Sequence, residues 1–268
     1  MILLKYIILG IIQGFTEPLP ISSSGHIFIF KKIFLANDIL NDLNFEIIVN
    51  FGSLIAILII YFKDIRKLII NFFKYFKIKD NDTKRDFKYL LLIILGCIPV
   101  GLAGFLLKDY IESLIQTPTV VGISFLITAL FLFLVKNING LKESKDLTWK
   151  DALFIGLIQV IALLPGISRS GSTLIAALFR NIKRSDALKY SFMLYIPISL
   201  GTMVLGVKDL ITSNNINILI IPYSLGFISS LIISYFTLKW FMNAVKKGNL
   251  LYFSIYCLIL GLFILIFL

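Results

Sequence analysis

Ile21-Ser22-Ser23-Ser24-Gly25-His26 and Ile167-Ser168-Arg169-Ser170-Gly171-Ser172 are two versions of one polar string, set in an otherwise lipid-soluble chain. The same offset, 146 positions from Ser22 to Ser168, also relates Gly10-Ile11-Ile12-Gln13 to Gly156-Leu157-Ile158-Gln159, with no gap between the copies. The chain therefore reads as a duplicated unit. Hydroxyls and an ionisable group at that depth are costly, so they are expected to face a cavity and to act there. The two strings are the best candidates for a shared site.

Outward from them, the composition excludes a soluble globule. With 58% hydrophobic and 15% charged residues and a mean hydropathy of +0.93, 268 residues cannot cover themselves with polar surface, and the apolar runs are long. The formal charge of +11 does not indicate nucleic acid, because the cations sit between apolar spans and form no stripe with interleaved aromatics. Cys97 and Cys257 fall inside expected spans without metal-ligand spacing, which argues against a disulfide or zinc site. The first apolar run has Lys5 ahead of an h-region, but it lacks a small-residue cleavage site and carries the first motif. It is therefore read as part of the mature protein.

A bilayer core of about 30 Å needs roughly 20 apolar residues per helix. Six segments meet that length: 44–62, 88–107, 118–136, 186–207, 217–240 and 250–268. Four shorter runs, 2–16 and 27–36, then 151–164 and 173–182, flank the motifs and are interrupted by Pro18 and Pro20, or by Pro165 and Gly166. Such breaks leave backbone groups that lipid cannot satisfy, so each pair is read as a re-entrant helical hairpin. The expected fold is an all-α polytopic membrane domain over 1–268 with two repeats. The first covers 1–140 with its hairpin at 2–36, and the second covers 147–268 with its hairpin at 151–182. Each unit has three spans, an odd number, so the two repeats must be inverted.

Charge orients them. Twenty of the 26 Lys and Arg residues fall in the loops of one side, chiefly between Lys63 and Lys88, Lys136 and Lys150, Arg180 and Lys189, and Lys239 and Lys247. The other side has Lys5, Lys31, Lys32, Lys108 and Lys208, and the remaining cation is Arg169 in the second hairpin. The positive-inside rule then places both termini outside. The stretch from Lys63 to Lys88 reads as an amphipathic cytoplasmic connector, against the plainer reading of a solvated charged loop. Ser185-Asp186 reads as a helix cap.

The second string runs into Leu174-Ile175-Ala176-Ala177, so backbone N–H groups at the start of a short helix face an anion-binding loop. Arg169 adds a planar fork suited to phosphate, the hydroxyls of Ser168, Ser170 and Thr173 add donors, and Gly171 admits close approach. Ser22, Ser23, Ser24, Gly25 and His26 repeat the layout before a helix expected from Ile27. If the hairpin tips meet, two helix amino termini converge on one anionic group or on a diphosphate. Glu17, one turn beyond Gln13, is a candidate for metal binding or acid–base work, with a plain ion pair to Arg169 as the alternative. Glu46 and Asn50, also one turn apart, are candidates to support the site. Serines in membrane segments often serve only packing, and a lone histidine is more often a satisfied interior residue than a catalyst.

Gln13-Gly14-Phe15-Thr16-Glu17 with Leu19-Pro20-Ile21-Ser22-Ser23-Ser24-Gly25-His26, and Pro165-Gly166-Ile167-Ser168-Arg169-Ser170-Gly171-Ser172-Thr173, resemble the two signature motifs of the bacterial undecaprenyl-diphosphate phosphatase, or bacitracin-resistance, family. Phe45-Glu46 with Gly52 and Ser191-Phe192 with Ile196-Pro197 extend the likeness. The resemblance implies hydrolysis of undecaprenyl diphosphate to the monophosphate and inorganic phosphate, recycling the envelope lipid carrier. It also implies a multi-pass protein of the bacterial cell membrane whose active site faces outside. Glu17, Ser23, His26, Ser168, Arg169, Ser170 and Thr173 match the family's functional positions. Many members carry glutamate where this chain has Gln13, which weakens a two-carboxylate site for Mg²⁺ or Ca²⁺.

The expected chemistry is a diphosphate clamped by Arg169 and the helix termini, with Glu17 and Gln13 holding a divalent metal. Ser23, His26 or a water attacks the terminal phosphorus. The partners expected are the lipid substrate and membrane lipid, with no nucleic acid and with a homodimer left open. The rival reading is a polyprenyl-phosphate translocase, since inverted repeats with broken helices also describe transporters.

Overall fold

The computed structural model describes residues 2–34, 43–107, 117–212 and 216–268. Lys108 and the last two residues of the first expected hairpin lie outside them, as does the side chain of Lys208. Among the described residues there are eleven α-helices and no named strand, and the chain is a polytopic membrane protein. The elements are α1 (Ile2–Thr16), α2 (Ser23–Phe34), α3 (Leu43–Ile60), α4 (Phe62–Tyr75), α5 (Asn81–Leu106), α6 (Pro118–Val135), α7 (Trp149–Ile161), α8 (Arg169–Phe179), α9 (Arg184–Thr212), α10 (Ile216–Lys246) and α11 (Leu250–Phe267).

Five helices, α5, α6, α9, α10 and α11, are long and apolar enough to cross a bilayer, and six spans result when α3 is counted with α4. That pair is bent by 74°. The expected span 44–62 thus ends at the bend, and the charged stretch after it is an amphipathic helix with none of its residues buried. Phe72 and Tyr75 of α4 stack on Phe87 of α5, which fixes the bend from one side.

Local chemistry sets the helix ends. The Asp80 carboxylate accepts from Thr83 N at 2.7 Å and starts α5. Thr148 and Asp151 form a reciprocal capping box that starts α7. The expected cap at Ser185-Asp186 instead lies inside the first turn of α9, which begins at Arg184. There Asp186 accepts from Ser144 N at 3.1 Å and from the Ser144 hydroxyl, tying down the short 3-10 turn Ser144–Asp146.

Glycines allow the closest helix contacts. α1 packs on α10, and a Cβ on Gly10 would lie 2.3 Å from the Gly226 carbonyl oxygen. α7 packs on α5, and a Cβ on Gly156 would lie 2.4 Å from the Gly96 carbonyl oxygen. α3 meets α9, and α6 runs along α11.

One end of the bundle is dense in ion pairs. Fully buried Asp151, at the start of α7, accepts from Arg180 Nε at 2.7 Å and Lys142 Nζ at 3.2 Å. Arg180 directly follows α8, and Lys142 bridges Ile182, so the chain enters and leaves the α7–α8 hairpin at the same end. Lys189 pairs with Asp64, and Lys183 reaches Glu143 at 2.7 Å. Arg184 Nε donates to the Ile138 carbonyl at 2.9 Å. The loops whose cations the charge count assigns to one side therefore share this end.

Candidate active site

The site forms where the turn between α1 and α2 meets the turn between α7 and α8. Pro18, Pro20, Pro165 and Gly166 stop the first helix of each hairpin, and a serine starts the second. The Ser22 hydroxyl accepts from Gly25 N at 3.3 Å, and the Ser168 hydroxyl accepts from Gly171 N at 3.1 Å. Both serines make the same cap hydrogen bond, with Ser168 in the usual extended backbone at φ −74°. Ser22 adopts φ +64°, in the left-handed region, which turns the chain sharply into α2. The helix expected from Ile27 thus begins four residues earlier, and His26 lies in its first turn.

The tips are stitched together by second-hairpin hydroxyls that donate to first-hairpin carbonyls. Ser168 Oγ reaches the Leu19 carbonyl at 3.3 Å, and Ser170 Oγ lies 3.2 Å from Leu19 O and 3.4 Å from Glu17 O. Thr173 Oγ1 folds back on the Arg169 carbonyl at 3.1 Å and bonds the Ser191 hydroxyl, bracing the first turn of α8. Ser22, Ser168, Ser170 and Thr173, each a candidate phosphate contact, are buried and engaged within the protein. Their contribution in this structure is the shape of the turns. Ser23, exposed Ser24, His26 and Arg169 are the accessible members.

Glu17 is the hub. Its Oε1 accepts from Arg169 Nη2 at 2.8 Å, and its Oε2 accepts from Gln13 Nε2 at 2.9 Å and from the Ser23 hydroxyl. One carboxylate thus touches a candidate nucleophile, a guanidinium and an amide from two hairpins, and it is only 9% exposed. Hydroxyl and carboxylate in this relation form the minimal nucleophile–base pair. The ion pair between Glu17 and Arg169 that the sequence allows is present.

His26 stands beside this hub and does not touch it directly. Its Nδ1 lies 2.6 Å from the Ser22 carbonyl, which can only accept, so Nδ1 donates. Nε2 lies 2.6 Å from the Tyr256 hydroxyl, and the two rings are parallel within 2° at 5.6 Å. In the neutral imidazole Nε2 therefore accepts from Tyr256.

Tyr195 is the other aromatic partner. Arg169 Cζ sits 4.3 Å from its ring centroid, and its hydroxyl donates to Asn50 Oδ1. Asn50 thus reaches the site through Tyr195, whereas Glu46 turns away and pairs with Lys31 at 2.7 Å. Neither tyrosine stands out in the sequence, because a single aromatic in an apolar span reads as packing. The only available signal for Tyr195 was its place between Ser191-Phe192 and Ile196-Pro197.

Among the described residues no three His, Cys, Asp or Glu side chains gather as a metal cluster. The site supplies one carboxylate, and the Gln13 amide beside it presents its Nε2 and would have to turn over to offer an oxygen. A divalent ion of the Mg²⁺ type fits such a set only when phosphate oxygens and water complete its shell, which is its usual habit.

The model of the family described as bacitracin resistance protein BacA matches residues 6–263. The chain is similar to an undecaprenyl-diphosphatase of Oceanobacillus iheyensis, 46% identical over 268 residues, covering 99% of this chain and 97% of the relative. It is 45% identical over 266 residues to undecaprenyl-diphosphatase 2 of Bacillus thuringiensis, covering 99% and 98%. It is 44% identical over 264 residues to undecaprenyl-diphosphatase 1 of Halalkalibacterium halodurans, covering 98% and 96%. With both polar strings meeting at one carboxylate and relatives matched from end to end, this chain belongs to the bacitracin resistance protein BacA family.

Proposed function

We propose that the protein hydrolyses undecaprenyl diphosphate to undecaprenyl phosphate and inorganic phosphate. The observation that carries this reading is the contact of Glu17 with Ser23 on one side and Arg169 on the other. Glu17 accepts from Nη2 of the guanidinium that a phosphate would engage. Arrival of the diphosphate draws Arg169 onto phosphate oxygens and frees Glu17 Oε1. The carboxylate then takes the Ser23 proton as Oγ attacks the terminal phosphorus. The bond from that phosphorus to the bridging oxygen breaks, and undecaprenyl phosphate leaves with the electron pair. Glu17 hands that proton to the departing undecaprenyl phosphate and then takes one from the water that attacks the phosphoserine; the phosphorus–Oγ bond breaks, Oγ recovers the proton from Glu17, and inorganic phosphate leaves. Arg169 is positioned for the charge spread over the phosphoryl oxygens, where stabilisation matters most. The Tyr256 hydrogen bond on Nε2 makes His26 a less ready nucleophile than Ser23. Glu17, with the Gln13 amide turned over so that its oxygen replaces Nε2 beside the carboxylate, would hold a divalent cation against the diphosphate, and that ion would neutralise phosphate charge.

The same reading takes the two halves as inverted repeats in a bacterial cell membrane, with both termini and the site on the outer side. Its support is pairwise. α1 on α10 through Gly10 and Gly226 mirrors α7 on α5 through Gly156 and Gly96, and the loops rich in cations share one end. A two-fold exchange of the repeats produces such reciprocal contacts.

The test is phosphate release by purified protein in detergent, where sidedness is abolished, with and without chelator. Phosphate is expected from undecaprenyl diphosphate; a pure translocator releases none. Quenching labelled enzyme distinguishes the attacking group. An acid-stable, alkali-labile adduct supports Ser23, an acid-labile one reassigns the role to His26, and no adduct leaves water as the nucleophile.

A further inference from the structure

Helix α4 is inside out for a helix in water. Asp64, Asn71 and Tyr75 share one face, and the rest of the protein holds that face. Asp64 pairs with Lys189, Asn71 Nδ2 donates to Asp86 at 2.7 Å, and the Tyr75 ring stacks on Phe87 with centroids 4.1 Å apart. Phe62, Ile69, Phe73 and the following Phe76 keep the helical period on the opposite face, and each is between 53% and 66% exposed. A solvated connector would turn that apolar row inward and the polar face outward. The observed order is stable only where an apolar surface covers the row.

Geometry selects lipid as that surface. α4 leaves the apolar helix α3 at 74°, so with α3 across the bilayer α4 runs close to the membrane plane, at the cation-rich end of the bundle. Charge then selects the kind of lipid. Lys63, Arg66 and Lys74 flank the apolar row, are exposed, and form no ion pair among the described residues. Asp64 is the one acid of α4, and Lys189 engages it on the inner face. We infer that α4 lies in the interface of one leaflet and that Lys63, Arg66 and Lys74 hold anionic phospholipid headgroups there. The apolar row enters the acyl boundary while the cations stay at headgroup level. No part of this depends on the phosphatase reading.

The test is hydrogen–deuterium exchange across residues 62–76 of the full-length protein, in nanodiscs of phosphatidylcholine alone and of phosphatidylcholine mixed with phosphatidylglycerol. Exchange is expected to be slower in the mixed disc. One cation at an anionic surface is worth about fivefold in equilibrium, so Lys63→Gln, Arg66→Gln and Lys74→Gln together should remove most of that difference. Phe73→Ser should speed exchange in both discs and preserve the difference between them. All four side chains are exposed, so Tm in detergent should barely move and reports that the fold is intact. Equal wild-type exchange in the two discs overturns the inference without any variant, as does a full difference kept by the triple variant. Exchange in both discs as fast as that of a solvated helix overturns it too, and leaves the apolar row to a protein partner.

Discussion

The two hairpins share a scaffold and differ in chemistry. Ser22 and Ser168 make the same cap hydrogen bond, Gly10 and Gly156 make equivalent helix contacts, and Gln13 corresponds to Gln159. At the reacting positions the correspondence breaks. Glu17 is matched by Leu163, Ser23 by Arg169, and His26 by Ser172. Gln13 donates to Glu17, whereas buried Gln159 has no such carboxylate one turn on and no hydrogen-bond partner for either amide atom. The two strings thus build turns with the same cap hydrogen bond, while the carboxylate and hydroxyl belong to one and the cation to the other. The Glu17–Arg169 ion pair joins two positions whose counterparts, Leu163 and Ser23, carry no charge. Two copies with glutamate would repel across the tip, and two with arginine would leave buried charges unpaired.

Several substitutions would break or sharpen this contrast. The largest effect belongs to the diverged positions. Arg169→Lys keeps the charge and loses the fork, and should reduce kcat by about a hundredfold to a thousandfold in phosphate-release assays. Near-normal turnover would remove the clamp from the account. Tyr195→Leu takes the aromatic face from behind that fork. A desolvated cation–π contact is worth about 2 kcal/mol, so kcat/KM should fall by more than about tenfold, with little further loss when Tyr195→Leu is added to Arg169→Lys.

The shared positions should affect stability in both hairpins. Gly10→Ala and Gly156→Ala each push a Cβ into a backbone carbonyl, and should each cost about 1–3 kcal/mol, read as matched drops in Tm. A large loss at one site with none at the other would deny the scaffold equivalence. The smallest effects come from the caps. Ser22→Ala should cost about 1 kcal/mol, and Ser168→Ala somewhat more, because Ser168 also donates to the Leu19 carbonyl across the tip. Equal Tm changes would show that this cross-tip bond adds nothing.

Much of this was legible in the chain because duplication exposes itself as repeated spacing, and prolines between short apolar runs mark hairpins. The motif residues Gln13, Glu17, Ser23 and Arg169 are in contact in the structure. What escaped the sequence depends on contacts between distant segments. Tyr256 reaches His26 across 230 residues and Tyr195 reaches Asn50 across 145, and no periodicity encodes either contact. The start of α2 was misjudged because Ser-Ser-Ser-Gly favours turns; here Ser22 takes the cap and the remaining residues enter the helix. The break at Tyr61 was hidden for the opposite reason, since the apolar run continues across it. Glu46 shows the limit of spacing arguments. It lies one turn from Asn50, yet Lys31 holds it elsewhere.

The central claim is that groups from both hairpins act on one diphosphate, and a double-mutant cycle in kcat/KM for phosphate release tests it most directly. With Glu17→Gln and Arg169→Lys, the combined variant should be little worse than the more damaged single variant, because groups acting as one unit are lost together. Losses that multiply in full would mean that the carboxylate and the guanidinium work independently, and the shared site would have to be given up.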